Sequence, residues 1–190
     1  MKSTKPKSTL SHQSKSKTLS VKKSNDIIQL ITQDHKPLKE MILVLKDSKI
    51  LITKKRLLFE NFATKLTTHL KAEESSLYFH MKKEPLLRME GLQGEIEHNL
   101  LEQLVDEIHQ IKNNDDLWMA KVKLIAELID RHIQTEEKSV FKKVKKVCNL
   151  NTRVDIGMEY SRHLNSNNHW YAEGWGSSSH IKTFFDNATS

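Results

Sequence analysis

The chain has 190 residues, of which 29% are charged and 37% hydrophobic, with only five Gly, three Pro and 6% aromatic residues. This composition favours a helical protein over a sheet protein. The net charge of +7 comes from a tail, because residues 1–25 hold seven Lys and no acid, which leaves 24 basic and 24 acidic residues elsewhere. That balance argues against nucleic acid as a partner of the folded part.

Other classes of protein are excluded by what the sequence lacks. Cys148 is the single cysteine, so neither an intramolecular disulfide nor a cysteine metal site can form. No apolar run approaches 18 residues, so we expect no membrane span. Residues 1–24 lack the apolar stretch of a secretory signal, and they lack the Arg and amphipathic character of a transit peptide. We therefore predict a disordered basic tail and a cytoplasmic location.

Helical periodicity marks four segments, at about residues 26–47, 54–83, 91–112 and 116–147. Ser24 or Asn25 is the expected N-cap of the first segment. Pro37 lies inside it and should kink the helix near His35. The connections are short, so consecutive helices should be antiparallel neighbours. The prediction is an all-α, up-down-up-down four-helix bundle over residues 25–148.

Residues 149–190 are predicted to form a partly disordered extension. A weak helix is expected over residues 151–164, around Ile156, Met158 and Tyr160. Five of the chain's 12 aromatic residues follow it, which is more than disordered segments usually contain. They are Trp170, Tyr171, Trp175, Phe184 and Phe185. The extension is expected to dock on the bundle or on a protein partner.

An internal repeat is the strongest signal in the sequence. Four histidines form two pairs, each with a spacing of 34 residues, and a glutamate follows the second member of each pair by four residues. These six residues are His35, His69, Glu73, His98, His132 and Glu136. An acid also precedes the first histidine of each pair. The repeat predicts two hairpins of the same layout, packed about an approximate two-fold axis.

The six side chains should meet in one layer of the bundle. Each histidine lies about 12 to 19 residues from the neighbouring turns, so at about 1.5 Å per residue their heights agree within one to two helical turns. A glutamate four residues after a histidine projects from the same helix face. Six buried ionisable groups are costly unless they are paired, and imidazole and carboxylate are good ligands for first-row metals.

The residue types predict a site for two metal ions. Two histidines per ion and two shared glutamates give each ion four protein ligands. A bridging oxo or hydroxo group makes a fifth, and an octahedral ion keeps one position open for a small molecule. We pair His35 with His69 and His98 with His132, and Glu73 bridges the ions. Glu136 is the second bridge. A buried polar network without metal is the alternative.

Four short segments resemble the hemerythrin-like, or HHE cation-binding, family. They are Gln33 to Leu38, His69 to Glu74, Glu97-His98 and His132 to Glu137, and the resemblance covers about residues 26–147. It implies a non-haem di-iron centre with the same six ligands. Members of the family bind oxygen, sense oxygen, nitric oxide or redox state, or assist damaged iron–sulfur clusters.

One position departs from the oxygen-carrying branch. Those carriers have a second histidine one turn after the first on the third helix, where this chain has Glu102. The resulting symmetric set is closer to members linked to nitric oxide response and iron-centre repair, although the cysteine-bearing domain of the repair proteins is absent from this sequence. Glu102 itself stays open as a further ligand.

The leading hypothesis is a di-iron protein that binds or senses oxygen, nitric oxide or peroxide. The alternative is an enzyme acting on peroxide or nitric oxide, or in iron–sulfur centre repair, and a metal-free interaction bundle is a third reading. Manganese or zinc could also fill such a site. Four acids beside the ligands are expected to face solvent rather than to hydrogen-bond the histidine rings. They are Asp34, Glu74, Glu97 and Glu137.

Overall fold

The computed structural model describes residues 25–166, and within that range the chain is all-helical. Helix α1 is Ile27–Lys46 and α3 is Arg88–Gln110. Helix α2 runs through Ile52–Glu73, a π-helical turn at Glu74–Tyr78, and Phe79–Lys83, and α4 runs through Asp115–Thr135, a π-helical turn at Glu136–Val140, and Phe141–Val147. Helix α5 is Leu150–Ser166. None of these helices is long and apolar enough to cross a membrane.

The helix boundaries agree with the predicted ones to within three residues, but the predicted N-cap of α1 is wrong. Asp26 takes that position, and its Oδ1 accepts a hydrogen bond from the Ile28 N–H at 3.1 Å. Asn114 caps α4 in the same way, accepting from the Leu117 N–H at 3.0 Å. Helix α1 continues through Pro37, and the kink there stays a prediction.

Helices α1 to α4 form a helical bundle. Helix α1 packs against α2 and α4, while α3 packs against α4 and the C-terminal part of α2. The alternating up-down course of the four helices stays a prediction. The buried apolar residues form two clusters, one around Leu45, Phe62 and Trp118 and the other around Ile27 and Leu77.

The predicted histidine layer lies where one apolar cluster gives way to the other. Along α1, His35 falls between Ile31 of one cluster and Leu38 of the other. Along α4, His132 is followed by Ile133 of one cluster and then by Val140 of the other. Water is excluded above and below the layer, so its polar side chains must satisfy one another or a ligand.

Helix α5 confirms the helix predicted over residues 151–164 and packs on α1 and α2. Arg153 holds its start, because its guanidinium donates to both carboxylate oxygens of Asp26 at 3.0 and 3.1 Å. At Gly157 the helix comes so close that an added Cβ would collide with the Asn25 carbonyl oxygen. The predicted basic tail and the aromatic residues after 166 lie outside the described residues.

Substitution of Gly94 by alanine is expected to destabilise the bundle, although helix propensity alone would make alanine the better residue by about 1 kcal/mol. A Cβ at this position would lie 2.5 Å from Tyr78 Cζ, and the buried ring has no room to retreat. Overpacking of this kind costs about 1–3 kcal/mol. Chemical denaturation should show the loss. In a Tyr78→Leu background the same change should be neutral or stabilising, and an equal loss in both backgrounds would contradict the steric argument.

Candidate metal centre

Two compact groups of ligand-type side chains lie in the middle layer of the bundle. The first contains His35, His69 and Glu73, and the second contains Glu73, His98 and His132. Within each group the potential ligand atoms all lie within 4.8 Å of one another. All of these side chains are buried. The groups separate the histidines into the two predicted pairs, and Glu73 belongs to both.

Glu73 lies between one histidine of each pair. Its Oε1 is 3.3 Å from His69 Nε2, and its Oε2 is 3.5 Å from His98 Nε2. The i, i+4 spacing on α2 brings His69 and Glu73 together, since both project from one helix face. One carboxylate oxygen therefore faces each histidine pair, which is the arrangement that a bridging carboxylate needs.

Glu136 faces the other two histidines, but through one oxygen only. Its Oε2 is 3.2 Å from His35 Nε2 and 3.7 Å from His132 Nε2. Its Oε1 accepts a hydrogen bond of 2.6 Å from the Tyr78 hydroxyl. In the internal repeat the position of Tyr78 corresponds to Phe141, which has no hydroxyl and stacks on His35 with ring centroids 6.1 Å apart. The two glutamates therefore have different surroundings.

The inward atoms of these residues fit a cation. The Nε2 atoms of His35 and His69, both oxygens of Glu73 and Oε2 of Glu136 are buried without a hydrogen-bond partner. His98 Nε2 and His132 Nε2 face each other at 3.2 Å. Desolvated lone pairs without a donor are costly, and nitrogen and carboxylate oxygen are the donors that first-row metals take from proteins. The same atoms in a metal-free network would leave most of their acceptors unsatisfied.

The outward nitrogens reach acids on the partner hairpin. His35 Nδ1, on α1, is 2.9 Å from Glu137 Oε1 on α4, and Lys39 also binds that carboxylate. His98 Nδ1, on α3, lies 3.3 Å from Glu74 Oε1 on α2, but this pair does not form a hydrogen bond. Each of these acids directly follows one of the inward glutamates, so the two contacts obey the internal repeat.

The remaining two histidines use acids within their own hairpin. His132 Nδ1 is 3.0 Å from Glu97 Oε2. His69 Nδ1 is 2.9 Å from the Tyr160 hydroxyl, which in turn donates to Asp34 Oδ2 at 2.6 Å. The expectation that the four neighbouring acids face solvent is therefore wrong. They lie along the edges of the layer and contact the rings directly or through a phenol.

These contacts set the tautomers of the rings. A carboxylate can only accept a hydrogen bond, so the Nδ1 atoms of His35 and His132, which hydrogen-bond Glu137 and Glu97, must carry the proton. A protonated Nδ1 leaves the lone pair on Nε2, which is the atom that points inward. Such outer acceptors orient ligand histidines and raise their basicity. In the cation-free layer His98 Nε2 and His132 Nε2 share a hydrogen bond of 3.2 Å, so one of them carries a proton that a bound cation would displace.

The charges of the layer are unevenly distributed. Burial, and then the neighbouring Glu136, raise the pKa of Glu73 well above its usual range. Burial opposes ionisation of Glu136 too, but His132 and His35 outweigh it and lower the pKa of that carboxyl. Burial alone would lower the pKa of His132, but the negative charges of Glu136 and Glu97 outweigh the effect of burial, so the pKa of His132 is raised. Burial lowers the pKa of His69 far below its usual value.

A family comparison agrees with this arrangement. The family model of the hemerythrin HHE cation binding domain matches residues 26–144, which span the four bundle helices and all six inward side chains. The chain belongs to the hemerythrin HHE family. No curated protein and no solved structure gave a match.

Glu102 stands where the oxygen-carrying hemerythrins have a further histidine, and the structure places it outside both ligand groups. Its Oε2 pairs with Lys71 at 2.8 Å, and Lys71 also contacts Glu74 at 3.1 Å. In this hemerythrin domain Glu102 therefore supports the outer acid of His98 through a shared lysine.

Sequence reasoning missed two tyrosines, Tyr78 and Tyr160. A signal was present for the first: the repeat aligns Tyr78 with Phe141, so a hydroxyl occurs at one of two otherwise apolar buried positions. A buried hydroxyl needs a partner, and Glu136 supplies it. For Tyr160 the sequence indicated a helix but did not indicate which residues the side chain would contact.

The Glu97→Gln variant is expected to bind cations about tenfold more weakly at one of the two positions. A neutral amide oxygen is a poorer acceptor for His132 Nδ1–H than a carboxylate, and loss of such partners typically costs about 10–100-fold in metal affinity. Chelator competition would measure the change. Glu107→Gln on the same helix is the control, because Glu107 pairs with Lys121 at the surface. Equal affinities in both variants would contradict the role of Glu97.

Proposed function

We propose that this hemerythrin domain holds two iron ions and binds or senses oxygen, nitric oxide or peroxide. One observation carries the proposal: a single buried layer presents unpartnered ring nitrogens and carboxylate oxygens to one another between two apolar clusters. Membership of a cation-binding family supports the same conclusion.

The proposed ligands are the six residues of the repeat. His35 and His69 would hold one ion, and His98 and His132 the other. Glu73 and Glu136 would be shared between the two ions. Iron would supply redox chemistry and would bind the small ligand.

The protein's own part is to position the ligand side chains and to exclude water from the layer. The outer acids fix the ring tautomers, and the Tyr78 hydroxyl holds one oxygen of Glu136. The apolar clusters keep water away from the layer, which strengthens every charge interaction inside it. The proposed partners are a small diatomic ligand or peroxide and, through the tails, another protein; the proposed location is the cytoplasm.

Elemental analysis of the full chain tests the metal content. We expect about two iron ions per chain, and His69→Ala and His132→Ala should each lose at least one, because each removes one nitrogen ligand. The corresponding control is His109→Ala, whose histidine lies near the end of α3 and contacts Glu60. A chain that takes up no cation under reducing, iron-replete conditions would refute the proposal.

Visible spectroscopy of the iron-loaded chain then separates binding from turnover. Reversible spectral change on exposure to oxygen or nitric oxide, without consumption of either, is expected for a sensor or binder. Sustained consumption of hydrogen peroxide or nitric oxide would indicate the enzyme instead.

A further inference from the structure

Helix α5 contributes to the candidate metal centre although it lies beyond the residues that match the family. The match ends at residue 144, and α5 spans Leu150–Ser166. Its Tyr160 is fully buried and reaches the ring of His69. The family resemblance therefore assigns nothing to this residue, and its role must be argued from its contacts.

Tyr160 breaks the two-fold pattern of the outer contacts. In the second hairpin His132 Nδ1 meets Glu97 directly at 3.0 Å. In the first hairpin the corresponding distance, from His69 Nδ1 to Asp34 Oδ2, is 4.0 Å, which is too long for a hydrogen bond. The phenol of Tyr160 fills the gap, 2.9 Å from the ring and 2.6 Å from the carboxylate.

The direction of these two hydrogen bonds is determined by the proton count. Tyr160 has one hydroxyl proton, and the Asp34 carboxylate can only accept. The proton therefore points to Asp34, so the phenol oxygen must accept from the Nδ1–H of His69. This contact keeps the His69 lone pair on Nε2, which faces Glu73.

The phenol reaches this place because α5 docks closely on the start of α1. Arg153 binds Asp26, the N-cap of α1, and Gly157 lies against the Asn25 carbonyl. Ile156 is buried one turn before Tyr160, in the apolar cluster that lies beside the histidine layer. Undocking of α5 would therefore withdraw the hydrogen-bond acceptor of His69.

We propose that Tyr160 is a positioning residue for His69, and that it makes docking of α5 part of one of the two cation positions. The proposal rests on the proposed function. By thermodynamic reciprocity, a cation bound at His35 and His69 favours the docked state of α5. The docked state in turn raises the affinity for that cation by the same factor. The outer partners of His98 and His132 are Glu74 on α2 and Glu97 on α3, so α5 reaches the second position only through its packing on the π-helical turn that begins at Glu74.

Cation titration of the full-length Tyr160→Phe variant tests the proposal. With iron(II) under anaerobic conditions, and with zinc(II) as a redox-inert probe, the wild-type chain should bind two equivalents. In the variant we expect one equivalent to weaken about 10–100-fold and the other to keep its affinity. A merely structural loss would weaken both equivalents alike, and that result would overturn the proposal.

Hydrogen exchange over residues 150–166 gives the reciprocal measurement. In the wild-type chain, added zinc should slow exchange of the α5 amides, since the docked state is favoured. In Tyr160→Phe, zinc should slow exchange of the α5 amides no more than it slows exchange in the rest of the bundle, because only the general stabilisation by the second cation is left. Protection of α5 by zinc that exceeds that of the rest of the bundle in the variant would also overturn the proposal.

A second variant tests the role of α5 independently, in case Tyr160→Phe misfolds. Gly157→Ala places a methyl group against the Asn25 carbonyl and so loosens α5 without changing a ligand or Tyr160. It should weaken the same equivalent more than the other, which α5 reaches only through its packing on the π-helical turn Glu74–Tyr78. Met158→Ala is the matched control, since Met158 is exposed on α5, and it should change neither equivalent. If the wild-type chain binds two cations and the Gly157→Ala chain keeps both affinities, the role of α5 is refuted while the proposed function stands. A wild-type chain that binds no cation refutes both.

Discussion

Replacement of Glu73 by alanine is expected to remove both cations from the domain. Glu73 is the one residue that belongs to both ligand groups, with one carboxylate oxygen facing each histidine pair. Its loss removes a ligand from each ion and one of the two negative charges that would offset their repulsion. Elemental analysis after iron loading and desalting should find almost no iron in Glu73→Ala, whereas His69→Ala and His132→Ala should retain about one iron ion per chain.

A damaged fold would not explain that result. In the cation-free protein both oxygens of Glu73 are buried without a hydrogen-bond partner, so Glu73→Ala removes two unsatisfied polar atoms and should fold with a normal helical circular dichroism spectrum. Glu60→Ala on the same helix is the control, because the Glu60 side chain is 66% exposed. A Glu73→Ala chain that keeps one tightly bound cation would show that the carboxylate is not shared.

The existence of the layer could be predicted from the sequence because helical spacing is regular. A 34-residue interval between two histidines places them at similar heights on adjacent helices when the turn falls near its middle, as both turns do here. The glutamates at i+4 follow from the same geometry. The structure brings all six side chains together, and their role as ligands stays a prediction.

The contacts of the outer acids could not be predicted in this way. Glu74 and Glu137 follow the inward glutamates by one residue, so they project about 100° away around the helix. Whether that direction meets solvent or a neighbouring helix depends on the packing of the bundle. In both cases it meets the ring of a histidine from the other hairpin.

The π-helical turns had no signal in the sequence either. One covers Glu74–Tyr78 and the other Glu136–Val140, immediately after or at the inward glutamates. Residue propensities do not distinguish a π turn from the surrounding α-helix, and such turns occur often at functional sites. Tyr78, at the end of the first turn, bonds Glu136 across the layer.

The contacts of Tyr160 could not be predicted from the sequence either, because they depend on residues far apart in the chain. The spacing of Ile156 and Tyr160 indicated one face of a helix, and that face is buried. What it faces depends on the close approach at Gly157 and the ion pair of Arg153 with Asp26, which join residues more than 120 positions apart. A single sequence carries no record of such pairs.

Removal of the cations is expected to lower the thermal midpoint by about 10–20 °C. At a free cation concentration about 100-fold above the dissociation constant, each site contributes about 2.7 kcal/mol. Two sites therefore contribute about 5 kcal/mol, and for a domain of this size each kcal/mol shifts the midpoint by about 2–4 °C. Differential scanning calorimetry before and after chelation would measure the shift. A midpoint that chelation leaves unchanged would contradict cation binding to the folded state.

The stability gap between the loaded and cation-free forms should widen as the pH rises above about 6.5. In the cation-free protein the pKa values of Glu73 and His132 are raised, the latter from its usual 6.5, so these groups keep protons that the unfolded chain has released. The stability that they contribute is lost as the pH rises through their folded pKa values. His69 and His98, whose pKa values are lowered, are already neutral in the folded cation-free protein above 6.5, so they add no slope to the gap. In the loaded protein these ligands have already released their protons to the solvent, so rising pH favours binding.

Calorimetry of both forms at pH 6.5, 7.5 and 8.5 would test the trend, and a gap that narrows across this range would contradict raised pKa values for Glu73 and His132.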